Sequence, residues 1–264
     1  MIGIFDSGIG GLTVVKALME QIPGYDIIYF GDTARTPYGS KSPETVIRYA
    51  IENTDFLLEK GAEIVVMACN SASSVATGSL VGKYNIPIFE VITPAVELSV
   101  KTSKKMYIGV IGTRATVQSG IYEKKILEIN PEARVYSAAC PLLVPLVEEG
   151  WLKKPVTSMI VKKYLHPLKV RQIDTLILGC THYPLLKNII QNKIGKRVNL
   201  IDSSAGVAKQ VRNFLKKNKK IENKLGKSGK FELFVSDITR QFEKTAKAVL
   251  KRNVTLKKIN MLNS

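Results

Sequence analysis

Short runs of aliphatic and β-branched residues alternate along the chain with longer stretches in which apolar positions recur at helical spacing. Ile2 to Phe5, Ile27 to Phe30, Ile64 to Ala68 and Ile86 to Glu90 are predicted strands, with helices after the first three around Leu12 to Gln21, Pro43 to Lys60 and Ala72 to Tyr84. Near Thr93-Pro94 the alternation begins again. Strands are predicted at Tyr107 to Ile111, Val135 to Ala138, Thr175 to Leu178 and Val198 to Ile201, and helices around Thr116 to Ile129, Val156 to Leu168 and Pro184 to Ile190. Strands that alternate with helices imply parallel sheets, and continuous apolar runs imply strands buried on both faces. The expected fold class is therefore α/β: two similar doubly wound parallel-sheet domains with the active site in the cleft between them.

Two segments look like copies of each other: Ile64-Val65-Val66-Met67-Ala68-Cys69-Asn70-Ser71 and Thr175-Leu176-Ile177-Leu178-Gly179-Cys180-Thr181-His182. Ile2-Gly3-Ile4-Phe5 precedes Cys69 at nearly the distance at which Ile108-Gly109-Val110-Ile111 precedes Cys180, so the restart reads as a duplication. After Asp202-Ser203-Ser204, an N-cap pattern, come a helix through Phe214, a lysine-rich segment expected to be a solvated helix end and a mobile loop, a strand at Phe231 to Val235 and a helix around Thr239 to Lys251. That tail has no counterpart in the duplication and is expected to pack back on the first half. The expected domains are 1–92 with 205–264, and 93–204.

Ligands of parallel sheets gather at the carboxyl ends of the strands, so Cys69 and Cys180 should both sit where ligands bind. Each begins a polar segment at a helix N-terminus, whose dipole favours the thiolate. Two thiols flanking one small molecule suit taking a proton from one face of a carbon and returning one to the other; a single nucleophilic cysteine would leave its twin idle. Cys140, before Pro141 in an apolar stretch, reads as a buried structural residue.

Phe5-Asp6-Ser7-Gly8-Ile9-Gly10-Gly11-Leu12-Thr13 begins like a dinucleotide fingerprint, but Thr13 stands at its sixth position and Asp6 would repel a pyrophosphate. Asp6 or Ser7 could cap the following helix; alternatively Asp6 works beside a thiol or a cation while the glycines let a ligand approach the backbone. In Gly31-Asp32-Thr33-Ala34-Arg35-Thr36-Pro37-Tyr38-Gly39 the bland reading is a turn, and the functional one has the Tyr38 hydroxyl and the Gly39 N–H meeting a carboxylate. His182 could hold the proton of Cys180, whereas His166, before Pro167 on a surface helix end, reads as structural. Glu148 and Glu149 read as a solvated helix end, or as a pair with one carboxylate turned into the cleft.

The formal charge of +17 on 264 residues raises the prospect of a polyanion partner. Much of the excess lies at Lys216-Lys217-Asn218-Lys219-Lys220 and on to Lys230, with no interleaved aromatics and no helix-turn-helix or RNA-binding signature, so no specific nucleic acid is expected. Three cysteines without a Cys-x-x-Cys pair indicate neither a disulfide framework nor a zinc ribbon, and no metal is expected. The chain enters a strand at once, and no run has the length of a membrane helix, so a cytoplasmic protein with no membrane partner is expected.

With these residues in view the whole chain resembles the glutamate racemase family, cofactor-independent enzymes that supply D-glutamate for bacterial peptidoglycan. The resemblance rests on FDSGIGGLTV at 5 to 14, GDTARTPYG at 31 to 39, ACNSAS at 68 to 73, PLVEEG at 145 to 150 and GCTHYP at 179 to 184, in this order. It implies Cys69 and Cys180 as acid/base residues, Asp6 assisting the first, His182 the second, and Glu148 near the second. It further implies substrate contacts from Asp6, Ser7, Tyr38, Gly39, Asn70, Ser71, Thr181 and His182, no cofactor, and a homodimer. Ser71 departs from the family's usual threonine, keeping the hydroxyl and losing a methyl. A racemase for aspartate or another small acid, and a basic binding protein with a vestigial cleft, are the alternatives.

Overall fold

The computed structural model describes residues 1–259. Among these residues ten strands form two sheets in which every pairing is parallel. The first half contributes β1 (Ile2–Asp6), β2 (Ile27–Gly31), β3 (Ile64–Met67) and β4 (Ile88–Glu90); the second contributes β5 (Tyr107–Gly112), β6 (Arg134–Ala139), β7 (Thr175–Gly179) and β8 (Asn199–Asp202). The first four lie in the order β2-β1-β3-β4 and the second four in the order β6-β5-β7-β8. The same topology is thus used twice, with β1 matching β5 and β3 matching β7, as a duplication requires.

The tail extends the first sheet. β9 (Phe231–Val235) pairs with β2, and β10 (Leu256–Lys258), which the hydrophobic pattern did not predict, pairs with β9. The helix Arg240–Leu250 packs on the helix Leu12–Gln21 and contributes Phe242, Ala246 and Val249 to the core on that face of the sheet. The helix Ser203–Lys217 lies against Leu12–Gln21 as well, and Asp202 Oδ1 caps it by accepting from the Ser204 N–H at 2.9 Å.

Side-chain alternation fixes which way each thiol faces. On β3, Ile64, Val66 and Ala68 enter one core layer while Val65, Met67 and Cys69 enter the opposite one. On β7, Leu176, Leu178 and Cys180 share one layer and Ile177 the other. Each cysteine therefore continues the period-two pattern of its strand just past the strand's carboxyl end.

Several elements differ from their predicted form. The run Thr116 to Ile129 breaks into Arg114–Gln118 and Ile121–Ile129, because Gly120 adopts a left-handed φ of 65°. Tyr183–Leu186 forms a tight 3-10 turn before the helix Lys187–Ile194. Pro155–Val170 runs through His166 and Pro167 rather than ending near them; both are exposed, so the ring meets water. The helix Ile92–Thr102 was not foreseen, and of Leu143–Glu148 only its end at Glu148 was, since Pro94 and Pro145 sit within their first turns and mimic breakers.

The lysine-rich segment is pinned rather than loose. Lys219 and Lys227 pair with Glu222, which also accepts from Tyr25 Oη at 2.8 Å, and Asp26 Oδ1 accepts from the backbone N–H groups of Ser228 and Lys230 at 2.9 Å each. Among the described residues no helix is long and apolar enough to cross a membrane.

Candidate active site

The carboxyl ends of β1, β3, β5 and β7 converge on one buried cavity. Cys69 and Cys180 both line it, together with Ser7, Tyr38, Gly39, Asn70, Ser71, Thr181 and His182. All nine were candidates in the sequence; Asp6 and Glu148, candidates as well, do not line it, while Pro37, Thr113 and Val144, which do, were missed. Thr113 had a usable signal: it follows β5, the repeat of β1, as Ser7 follows β1. The cavity measures about 10 Å³, roughly the room for one water.

The glycines of the first loop admit the other half of the molecule, where the sequence reading had a ligand approaching. A β-carbon on Gly10 would overlap Thr181 and stand 2.7 Å from His182 Nδ1; one on Gly8 would lie 3.1 Å from Glu148 Oε1. Asp6 sits at the tip of β1, fully buried. Its Oδ2 accepts the N–H groups of Gly8 and Gly11 at 3.0 Å each, which shapes the loop, and its Oδ1 accepts from Thr181 Oγ1 at 3.1 Å. Burial pushes the Asp6 carboxyl above its ordinary value, against the charge of His182 and these hydrogen bonds.

The two thiols have different neighbours. Cys69 Sγ lies 3.6 Å from Ser7 Oγ, its hydrogen-bond partner. Burial first, then the charge of Asp6, push its pKa up to about 12, with the Ala72 N–H and Ser7 opposing. The direct polar neighbour of Cys69 is thus Ser7, and Asp6 acts on it through charge. Cys180 Sγ lies 3.8 Å from His182 Nδ1, and His182 Nε2 lies 3.2 Å from Glu148 Oε1. Burial works against a charged imidazole, but Cys180 and Glu148 outweigh it, leaving the His182 pKa well above its ordinary value. Glu148 also accepts from Thr36 Oγ1 at 3.4 Å. Glu149 and His166 are exposed and take no part in the cavity.

The residues after Cys69 reach across to the second half. Asn70 Nδ2 donates to Tyr122 Oη at 2.8 Å, and Ser71 Oγ meets Thr113 Oγ1 at 2.9 Å. Asn70 Oδ1 is buried without a hydrogen-bond partner. A β-carbon on Gly39 would overlap Thr113, so the same contact line explains that glycine.

Tyr38 needs correction. It lines the cavity, but its hydroxyl donates to Asp32 Oδ2 and accepts from Asn53 Nδ2 at 2.9 Å, so that group is not free for a substrate carboxylate. Asp32 also takes Arg35 Nε at 2.6 Å and Ser236 Oγ at 3.0 Å. This buried network fixes the loop that presents Tyr38 and Gly39. Cys140 is fully buried beside the carbonyl of Ala138, 3.6 Å from Sγ, and is no part of the cavity. Among the described residues no group of three or more His, Cys, Asp or Glu side chains could hold a metal ion.

The Asp/Glu/Hydantoin racemase family model matches residues 7–211. The glutamate racemase of Aquifex aeolicus is 46% identical over 253 residues, 96% of this chain and 95% of its own length. Among solved structures, a glutamate racemase from Bacillus anthracis superposes with a TM-score of 0.92 at 35% identity, over 98% of this chain and 97% of that one. The Francisella tularensis glutamate racemase, solved in complex with D-glutamate, gives 0.91 at 37% identity, over 100% of this chain and 98% of that one.

Proposed function

The chain belongs to the Asp/Glu/Hydantoin racemase family, and we propose that it interconverts L- and D-glutamate by a two-base proton transfer at the α-carbon. The observation that carries this reading is the pair of thiols, Cys69 and Cys180, which stand past matching strands of a repeated fold and line one cavity. The enzyme is an amino-acid racemase and hence an isomerase.

Taking the α-proton from an amino acid leaves a carbanion, which preset hydrogen bonds and excluded water must stabilise. The two thiols suit opposite duties at one moment. Cys69, held protonated by burial and by Asp6, is poised to give a proton. Cys180 Sγ faces His182 Nδ1, and the far nitrogen of that ring is anchored by Glu148, so the pair is suited to receiving a proton. Each transfer exchanges these states, and the reverse reaction uses them in the opposite order. No cofactor is assigned a step.

The substrate's polar groups have matching partners. Asn70 Oδ1 offers an unpaired acceptor to the ammonium group, and an unpaired buried acceptor gains most from such a donor. Ser7, Ser71 and the Gly39 N–H can meet the two carboxylates near the start of the helix Asn70–Lys83, whose N-terminus favours anions. A cavity of about 10 Å³ cannot hold glutamate, so the halves must part for substrate and close around it. We assign the D-glutamate formed to peptidoglycan synthesis, in a cytoplasmic homodimer.

The test is chiral analysis of purified protein incubated with L-glutamate, without added cofactor or metal. D-glutamate should accumulate toward an equal mixture. Its absence under conditions in which the protein is folded would overturn the reading.

A further inference from the structure

We propose that Tyr122 is a positioning residue that braces the two thiol-bearing segments against each other and turns the Asn70 side-chain oxygen toward the substrate's ammonium group. The proposal rests on the racemase reading above. Tyr122 lies on the helix Ile121–Ile129 of the second half and is 2% exposed. Its hydroxyl accepts from Asn70 Nδ2 at 2.8 Å, and Asn70 directly follows Cys69. Its ring lies against Gly179, which directly precedes Cys180: a β-carbon there would stand 3.2 Å from Tyr122 Cε2 and 2.8 Å from the Ile111 carbonyl oxygen. One side chain therefore touches the residue after the first thiol and the residue before the second.

The consequence falls on Asn70. A carboxamide has a donor end and an acceptor end. Tyr122 occupies the donor end, so the acceptor end, Oδ1, is the one left unpartnered in a residue that lines the cavity. Tyr122 stands behind Asn70 and meets the substrate only through it. Burial, followed by the charge of Glu90, holds the phenol proton well above its ordinary pKa, so the hydroxyl stays neutral at any working pH. A neutral hydroxyl can satisfy the amide without drawing the ammonium away from the thiols. The ring has a separate duty, since it fills the space a side chain at Gly179 would take and thereby backs the end of β7.

The test is a double-mutant cycle with steady-state kinetics on both enantiomers. Tyr122→Phe keeps the ring and loses the hydroxyl: KM for L- and D-glutamate should rise about tenfold, as expected for one misdirected hydrogen bond, with kcat changed less than about threefold. In an Asn70→Ala background the same change should add less than about twofold. Tyr122→Leu, which also removes the ring, should lower kcat as well. An unchanged KM in Tyr122→Phe, or an undiminished effect without Asn70, would show a purely structural tyrosine and overturn the proposal. A readout independent of turnover is the Asn70 side-chain NH2 resonance, assigned through Asn70→Ala. It should be protected from solvent exchange in the wild type and lose that protection in Tyr122→Phe, and free exchange in the wild type would equally overturn the proposal. Wild-type protein that fails to racemise glutamate would sink the racemase reading while leaving this second measurement to decide the role of Tyr122.

Discussion

The Thr181 hydroxyl donates to Asp6 Oδ1 at 3.1 Å, so the carboxylate at the tip of β1 is tied to the residue that follows the thiol of the opposite half. Asn70 with Tyr122 and Ser71 with Thr113 make the reciprocal connection from the first thiol's segment. In each half the polar residues just past the cysteine serve to join the halves over the cavity.

Closure of this kind depends on the absence of a side chain at Gly10, where a β-carbon would overlap Thr181 and crowd His182. Gly10→Ala should lower the thermal transition, because the added methyl would stand 2.7 Å from the Thr181 carbonyl carbon, a backbone atom that cannot swing aside. It should lower kcat/KM by about 100-fold, the scale expected when reacting groups are held about 1 Å out of place. Activity within a few-fold of wild type would show that the halves react without this close approach.

Both thiols are required if inversion needs a base on one side and an acid on the other. Cys69→Ala and Cys180→Ala should each abolish racemisation, whereas Cys140→Ala, altering a sulfur buried away from the cavity, should keep kcat within about threefold. Chiral chromatography of the three variants checks this. Two-way turnover by either of the first two would remove the two-base mechanism.

The strands, the tail's return to the first sheet and the thiols at matching strand ends were legible because buried parallel strands are continuous apolar runs, and a duplication repeats them in register. Cys69 and Cys180 needed only that pattern. What escaped were contacts that depend on two distant segments meeting. Nothing around Tyr38 shows that Asp32 and Asn53 take its hydroxyl, since Asn53 arrives on another helix. The pairing of Asp6 with Cys69 came only from the family resemblance, and the bond of Asp6 to Thr181 joins segments 175 residues apart, which no local pattern shows. The glycines of residues 8 to 11 announced a close approach but not by what. Tyr122, in a helix with no motif of its own, carried no local signal at all.

Substrate choice should follow side-chain length. Glutamate should be racemised and aspartate barely touched, because a carboxylate carried one methylene shorter cannot reach polar groups set for the longer one, and leaving such groups unpaired is costly. We expect kcat/KM for aspartate lower by at least about 100-fold. Comparable values for the two acids would move the assignment to a racemase for smaller substrates.

The basic tail should be separable from catalysis. Lys224 pairs with Glu63 and Lys230 with Glu232, so those charges serve the fold, and the variant of choice replaces Lys216, Lys217 and Lys220 by glutamine. Retention on DNA at low salt should weaken, with racemisation nearly intact. A large loss of kcat in the folded variant would show that this charge reaches the cavity.

Isotope exchange tests the mechanism without mutation and draws on the unequal surroundings of the thiols. In D2O the product enantiomer should carry deuterium at Cα, because the donating thiol has equilibrated with solvent before substrate binds. The remaining substrate should contain much less early in the reaction, since a thiol that has just taken the substrate's proton tends to return that same proton. The two directions should differ. Cys180 connects through His182 to Glu148, whose side chain is 31% exposed, whereas the polar neighbour of Cys69 is the buried Ser7. A proton taken by Cys180 therefore has a chain of groups leading to solvent, and the enantiomer that gives its proton to Cys180 should show the greater early deuterium in unreacted substrate. NMR or mass analysis of both recovered enantiomers, starting from each in turn, reads this directly. Equal early labelling of substrate and product would favour one freely exchanging base, and product without deuterium would exclude proton donation from either solvent-equilibrated thiol.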